Sequence, residues 1–405
     1  MDADLVVIGA GALGLSTALH AGLLGRSVVV VDRETAGSQA SGRAAGLFKS
    51  VQADELRTQL ARRSIKRAVS FADWADVPLD VAQSGSYLIA RTPAHKEYLR
   101  TEARQSRGWG ADVREAQPTD MSGRLSYYRG DGGEFALWCP EDIYIEEPAS
   151  LVRAYASACQ RLGVQLLEHE AVTGVYSSGH RPSAVETTRR TITAEAVVDA
   201  AGAWTRQVAE LAGGDVCVAP VRHQLLITGR SAEVDPADPI VRVVDAAVYL
   251  RPARGGLMFG GFEAAPLPVD PRAETASFST DDLVLDLDVL RKLAAPIAGE
   301  VPQVAAEPVA EHRGGLFTMS PDGRFVAGPL PDVPSVWVAS GCNGSGFSSS
   351  LAIGEALAAW IYDVPGRLDI SALSPARFGA ITDEVLISGG IWQYAHYYDP
   401  AGTQS

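Results

Sequence analysis

Gly9, Gly11 and Gly14 constrain this chain more than any other feature, because they stand between two runs of different periodicity. Residues 4–9 form a short apolar run that reads as a strand. Residues 12–24 place Leu13, Ala18, Leu19 and Leu23 at helical spacing, Gly25 closes that helix, and residues 27–31 form a β-branched run ending at Asp32. Strand, glycine turn, helix and strand make one βαβ unit. In such a unit the first glycine permits a tight turn, the second lets a pyrophosphate approach the backbone, and the third lets helix and strand pack closely. The helix N-terminus presents unpaired N–H groups to the pyrophosphate, and Asp32 is spaced to accept hydrogen bonds from an adenosine ribose. A dinucleotide site is expected. The motif does not separate FAD from NAD, since both carry the same ADP half.

Charge and composition exclude several other classes. A formal net charge of −14 argues against a sequence-independent grip on nucleic acid or on an anionic membrane surface. The basic stretch between Arg57 and Arg67 has helical spacing and is expected to be a solvated helix face. Cys139, Cys159, Cys217 and Cys342 show neither CxxC nor metal-ligand spacing, so neither a metal site nor a disulfide framework is expected. The opening MDADLVVIGAG carries acids where a signal peptide needs bases, and no apolar run approaches about 18 residues. A cytoplasmic protein with no membrane span is expected.

The 405 residues leave room for two interleaved domains. A helix is predicted at 148–162, with strands at 164–167, 171–176 and 190–200. Further strands at 218–228, 240–250 and 256–262 suggest a largely antiparallel sheet, followed by a helix at 280–293. Near the end, a strand at 336–340, a glycine-rich turn at 341–346 and a helix at 349–362 repeat the order seen at the start.

Three later segments carry a resemblance: GSQASGRAAGLFKS at 37–50, VVDAAGAW at 197–204, and SPDGRFVAGPLPDVPSVWVASGCNGSGFSSSLAIGEALAAWI at 320–361. With the fingerprint, they make the chain similar to the D-amino acid oxidase superfamily, in particular its sarcosine oxidase, glycine oxidase and dimethylglycine dehydrogenase branch. The resemblance covers nearly the whole chain. It implies an α/β fold of the glutathione reductase-like, DAO type: a Rossmann-type FAD-binding domain (1–80, 146–215 and 320–380), an interleaved substrate domain on a largely antiparallel sheet (81–145 and 216–319), and a C-terminal tail (381–405). It also implies that Arg33, Ser41, Gly42, Arg43, Ala45 and Gly46 contact FAD through the early loop, and that Val172, Ala201, Gly202 and Trp204 lie beside the ADP half. The turn of Gly341, Asn343, Gly344, Ser345, Gly346 and Phe347 would face the flavin's N1–C2 carbonyl. A helix dipole and oriented N–H groups stabilise negative charge there without a titrating side chain, which favours FAD over NAD.

Some positions depart from the family pattern. Relatives that link FAD covalently use a histidine in the early loop or a cysteine ahead of the Asp-Gly turn; here those positions hold Arg43 and Gly315, so non-covalent FAD is expected. Met258 stands where sarcosine oxidases carry an oxygen-activating lysine. Phe317 stands near the carboxylate-binding arginine of glycine oxidases, with Arg313 upstream, and Ser348 replaces the lysine that serves the same purpose in sarcosine oxidases.

The expected reaction takes hydride from the C–N bond of a small amine or amino acid to flavin N5, giving an imine, with electrons passing to molecular oxygen or an electron carrier. It needs a neutral amine held in place rather than an acid–base dyad. Lys49, His223, Tyr249, Arg251, Met258 and Phe317 are the candidate substrate-pocket residues. His223 equally suits a hydrogen-bonded core position, Tyr249 a packed aromatic, and Arg251 an exposed turn. Cys342 reads as a small buried residue rather than a redox group. Trp392, Tyr394, His396, Tyr397 and Tyr398 fit a cap over the active site or a contact in a homo-oligomer. An NAD-dependent dehydrogenase and a flavin-holding subunit without catalysis are the rival functions.

Overall fold

The computed structural model describes residues 2–177, 183–331 and 333–399. Leu5 and Val7 of the strand Ala3–Ile8 enter one hydrophobic core, while Val6 and Ile8 enter another on the opposite face. A strand buried on both faces needs a continuous apolar run, which residues 5–8 and Val28–Val31 both supply. They are central in an eight-stranded sheet whose main path runs Val326–Leu330, Val333–Ser340, Thr191–Asp199, Ala3–Ile8, Val28–Val31 and Gln165–Leu167. Neighbours on this path are parallel except for the first pair. Val172–Tyr176 and Ser183–Thr187 extend it as an antiparallel pair. The helices Ala12–Leu23, Glu55–Val69, Ala149–Arg161 and Gly346–Ile361 contribute to one shared core on one face. Gly354 of the last helix has no room for a Cβ against Ser16 of the first, so these two helices approach at backbone distance.

The second sheet also has eight strands, in the order Val309–Met319, Ala219–Thr228, Gly256–Gly261, Val248–Ala253, Ile240–Val243, Ser86–Ala90, Phe135–Cys139 and Arg114–Ala116. Every pair is antiparallel except Ile240–Val243 with Ser86–Ala90. The helix Asp383–Ala395 packs on its Ala219–Thr228 and Val309–Met319 strands.

Several expectations need correction. The run 240–250 is two strands, not one: it reverses through a short turn in which Ala247 takes a φ of 55° and Asp245 accepts from the Arg91 backbone N–H and guanidinium. The helix expected at 280–293 spans only Leu287–Ala294, because Asp286 caps it by accepting from the Asp288 N–H and a separate turn occupies Thr280–Asp282. The helix expected at 349–362 starts earlier, at Gly346. The basic stretch is more than a solvated face. Arg63 and Arg67 both pair with Glu355 of Gly346–Ile361, Arg62 with Glu141, and Arg57 with Asp54. Burial would raise the Glu355 carboxyl, but the hydrogen bonds of Arg63 and Arg67 outweigh it and hold the group at about 2. No helix among the described residues is long and apolar enough to cross a membrane.

Candidate active site

Both glycine-started helices open into one cavity of about 760 Å³, lined by residues from both sheets. That is within the size range of small-molecule and cofactor sites. At the first helix, Gly9 has a φ of +107°, and a Cβ there would lie 2.8 Å from the Ala200 carbonyl carbon. Gly14 has no space for a Cβ against the Gly9 carbonyl, whereas a Cβ on Gly11 would meet only Ser41 Oγ, at 3.2 Å, at the cavity wall. Turn, approach and packing are thus divided among the three glycines as their spacing predicts. Gly11 caps the helix in an extended conformation with no side-chain cap bond, and no acid sits in the first turn. Asp32 fixes the turn instead of the helix end: its Oδ2 accepts from Ala10 N–H at 2.7 Å and its Oδ1 from Glu34 N–H at 2.8 Å. Burial raises its carboxyl pKa, and these two bonds oppose the rise.

The early loop wraps the same opening. Ser41 Oγ accepts from Ala12 N–H at 3.0 Å, Arg33 lies over the Trp204 ring at 4.1 Å, and Arg43 pairs with Asp281 at 2.6 Å. Ala45, Gly46, Val172, Ala201 and Gly202 also line the cavity. Gly42 does not; it packs against the Gly37 carbonyl and shapes the loop from behind.

At the other helix, Asn343 (φ 45°) and Gly344 (φ +79°) follow Gly341 (φ +61°) in a left-handed turn. Gly341 and Asn343 stand behind the wall. Asn343 accepts from Ser320 N–H at 3.0 Å and donates to the Gly341 carbonyl at 2.6 Å, so it holds the turn rather than facing the cavity. Gly344, Ser345, Gly346, Phe347 and Ser348 do line it. Ser345 makes no side-chain cap bond and the first turn of Gly346–Ile361 has no acid. Neither N-cap residue makes a side-chain cap bond and neither first turn holds an acid, so both helix N-termini favour negative charge between them, with Ser41 Oγ taking only the Ala12 N–H of the first. This cradle fits FAD, with the Gly9–Gly14 turn and early loop suited to its pyrophosphate and the Gly344–Phe347 turn to its ring.

The wall shared with the second sheet is aromatic. His223 stacks on Phe317 at 4.2 Å between centroids, and Phe262 stacks on Tyr397 at 4.0 Å. Both nitrogens of His223 are engaged, Nδ1 with Tyr394 OH and Nε2 with Tyr249 OH, each at 2.7 Å. Burial pushes its pKa down to about 3, so the ring is neutral. A neutral imidazole has one donor and one acceptor, so one tyrosine donates to it and the other accepts. His223, Tyr249, Phe317 and Lys49 all line the cavity.

Arg251 and Met258 do not, and both are corrected. Arg251 is fully buried, donates to the Ala45, Pro252 and Glu146 carbonyls, and lies over the Tyr144 ring at 4.7 Å. Its role is to tie the early loop to the second sheet. Met258 is fully buried in the core behind Tyr249 and Phe262. Cys342 is at the cavity edge, where burial raises its thiol pKa. Of the tail's aromatic cluster, Tyr397 and Tyr398 line the cavity, while Tyr394 bonds His223 from behind. Sequence reasoning missed Arg242, which lines the cavity paired to buried Asp142. The available signal was a lone arginine in the apolar strand IVRV.

The chain is 28% identical over 379 residues to 4-methylaminobutanoate oxidase (formaldehyde-forming) of Paenarthrobacter nicotinovorans, covering 92% of this chain and 45% of that protein. It is 27% identical over 389 residues to mitochondrial dimethylglycine dehydrogenase of Rattus norvegicus, covering 94% of this chain and 45% of that protein. The chain therefore spans about half the length of these curated relatives. Among solved structures, L-proline dehydrogenase from P. horikoshii superposes with a TM-score of 0.82 at 20% identity, covering 93% of this chain and 98% of that one, which establishes the shared fold. Residues 4–360 match the family described as DAO, FAD dependent oxidoreductase, and the chain belongs to that family.

Proposed function

We propose that this chain oxidises the C–N bond of a small amine or amino acid, with FAD bound non-covalently in the cavity between the two glycine-started helices. FAD, when bound, supplies a ring that accepts a hydride from the carbon next to nitrogen. The observation that carries the reading is that both helix N-termini, with no acid in either first turn, open into one cavity whose far wall is aromatic. Arg43 and Gly315 offer no nucleophile for a covalent link. The chain's division into 1–80, 146–215 and 320–380 for FAD, 81–145 and 216–319 for substrate, and a tail from 381 belongs to the same reading.

The chain's own residues bind, orient and keep water out. The rings of Phe262, Phe317 and Tyr397 make an apolar wall, which favours a neutral amine over an ammonium ion. His223 takes no proton from substrate, because both its nitrogens are held by tyrosines; it fixes the Tyr249 hydroxyl at the wall. Electrons leave to molecular oxygen or an electron carrier. The four free cysteines suit a cytoplasmic setting.

Two of the similar proteins are named for N-methylated substrates, so N-methyl amino acids head the test panel. FAD-loaded protein is mixed anaerobically with N-methyl amino acids, D- and L-amino acids, cyclic imino acids and amino sugars, and the flavin absorbance is followed. At least one class bleaches the flavin, and colour returns with oxygen or an artificial acceptor. A protein that takes up no FAD, or whose bound FAD no amine reduces, overturns the proposal.

A further inference from the structure

Three cations line the part of the cavity that also holds His223, Tyr249, Tyr397 and Tyr398: Lys49, Arg242 and Arg313. Each has a carboxylate neighbour, Glu102 at 3.9 Å, Asp142 at 3.1 Å and Glu311 at 3.2 Å, and none of these carboxylates lines the cavity. The positive groups face in and their counter-charges stand behind.

Arg242 is the most constrained of the three. Its side chain is 3% exposed and that of Asp142 is 0% exposed. Asp142 is held by Ser50 N–H at 2.7 Å, Ser50 Oγ at 2.6 Å and Ser86 Oγ at 2.6 Å, so its position is fixed by the early loop and a neighbouring strand. Among the described residues it is the one hydrogen-bond partner of the Arg242 guanidinium, through Nη1. A guanidinium has five donors in a planar fork matched to an oxyanion, and one buried carboxylate uses few of them. Lys49 Nζ adds a second cation whose carboxylate neighbour is beyond hydrogen-bonding distance. Meanwhile the strand Val309–Met319 presents Phe317 to the cavity, stacked on His223, where it offers no charge.

We infer that Arg242, backed by Asp142 and assisted by Lys49, is the anion anchor of this cavity, and that the amine oxidised here carries a carboxylate gripped from the Ile240–Val243 strand. This rests on the amine-oxidation reading above and adds the residue that selects the substrate's charge. The buried carboxylate fixes the guanidinium plane before ligand arrives, so little side-chain freedom is lost on binding. A charge-assisted bidentate contact of this kind discriminates a carboxylate from its neutral amide.

Benzoate and benzamide, which share a ring and differ in charge, test this by calorimetry and by perturbation of the flavin spectrum in the FAD-loaded protein. Wild type binds benzoate at least roughly 30-fold more tightly than benzamide. Arg242→Met weakens benzoate by a similar factor and leaves benzamide within about twofold, and Lys49→Met weakens benzoate by about tenfold. Because Arg242→Met strands a buried carboxylate, Arg242→Lys is the companion variant: it keeps a cation beside Asp142, preserves the fold, and still loses about tenfold through the missing fork. Wild type that fails to bind benzoate or to prefer it, or an Arg242→Lys variant that binds it like wild type, overturns the inference. Protein that takes up no FAD yet shows the preference and its loss by calorimetry sinks the flavin reading while supporting the anchor.

Discussion

Replacing Gly9, Gly11 and Gly14 one at a time by alanine separates fold from cofactor binding, because the three positions meet different surroundings. Gly11 has φ −78° and ψ −178°, which alanine adopts freely, and its new Cβ touches only Ser41 Oγ, at 3.2 Å. Stability of the apoprotein should change by no more than about 1 kcal/mol. The methyl does occupy the space through which a diphosphate reaches the helix N–H groups. Losing one charge-assisted hydrogen bond costs about 1.5–3 kcal/mol, or roughly 10–100-fold in the FAD Kd. Gly9→Ala differs: the positive φ alone costs about 1–2 kcal/mol, and the Cβ presses on the Ala200 carbonyl between two central strands. A destabilisation above about 3 kcal/mol follows. Gly14→Ala drives its Cβ into the Gly9 carbonyl and falls in the same class. Urea unfolding of the three apoproteins and fluorescence titration with FAD measure both quantities. An unchanged FAD Kd in Gly11→Ala, or a loss of apoprotein stability matching that of Gly9→Ala, would refute the reasoning.

Three further outcomes are expected. Acid precipitation of wild-type protein releases all of its flavin to the supernatant as FAD, and flavin retained in the pellet would contradict the non-covalent assignment from Arg43 and Gly315. Burial lowers His223 to about 3 and His20 to about 4, so both stay neutral in the folded chain while their unfolded counterparts protonate below about 6.5. Their contribution is complete above that pH and is lost as pH falls toward the folded values, at up to about 1.4 kcal/mol per pH unit for each ring. His223→Gln removes one such slope between pH 6 and 4 in urea unfolding; parallel slopes for variant and wild type would count against a buried neutral ring. Glu355 is the opposite charge type, held at about 2, so its contribution is present above about 4.5 and is lost as pH falls through 2. With its arginine partners partly exposed, Glu355→Gln should cost on the order of 2 kcal/mol at pH 7 and almost nothing near pH 2, as read from thermal unfolding.

The features legible in the sequence were those set by local backbone geometry. Gly9, Gly11 and Gly14 announced the turn because a Cβ is sterically excluded at two of them and faces the cavity at the third. The apolar runs at 5–8 and Val28–Val31 announced strands buried on both faces. The split of 240–250 was hidden because the reversal has neither glycine nor proline; it depends on Asp245 reaching Arg91. Arg251 looked like a pocket residue because its acceptors, the Ala45 and Glu146 carbonyls, are more than a hundred positions away. Arg242 was passed over for the same reason, since Asp142 is 100 positions away and only the fold brings them together. The aromatic wall is similarly tertiary: His223, Phe262, Phe317 and Tyr397 come from three strand neighbourhoods and the tail.

A crystal structure of the protein grown with FAD tests the central claim most directly. The pyrophosphate should lie at the N-terminus of Ala12–Leu23 against Gly11, and the isoalloxazine should extend to the N–H groups of the Gly344–Phe347 turn, with its open face toward His223 and Tyr249. A cofactor that reaches only the first helix, leaving the start of Gly346–Ile361 without a ligand atom in hydrogen-bonding range, would contradict the account.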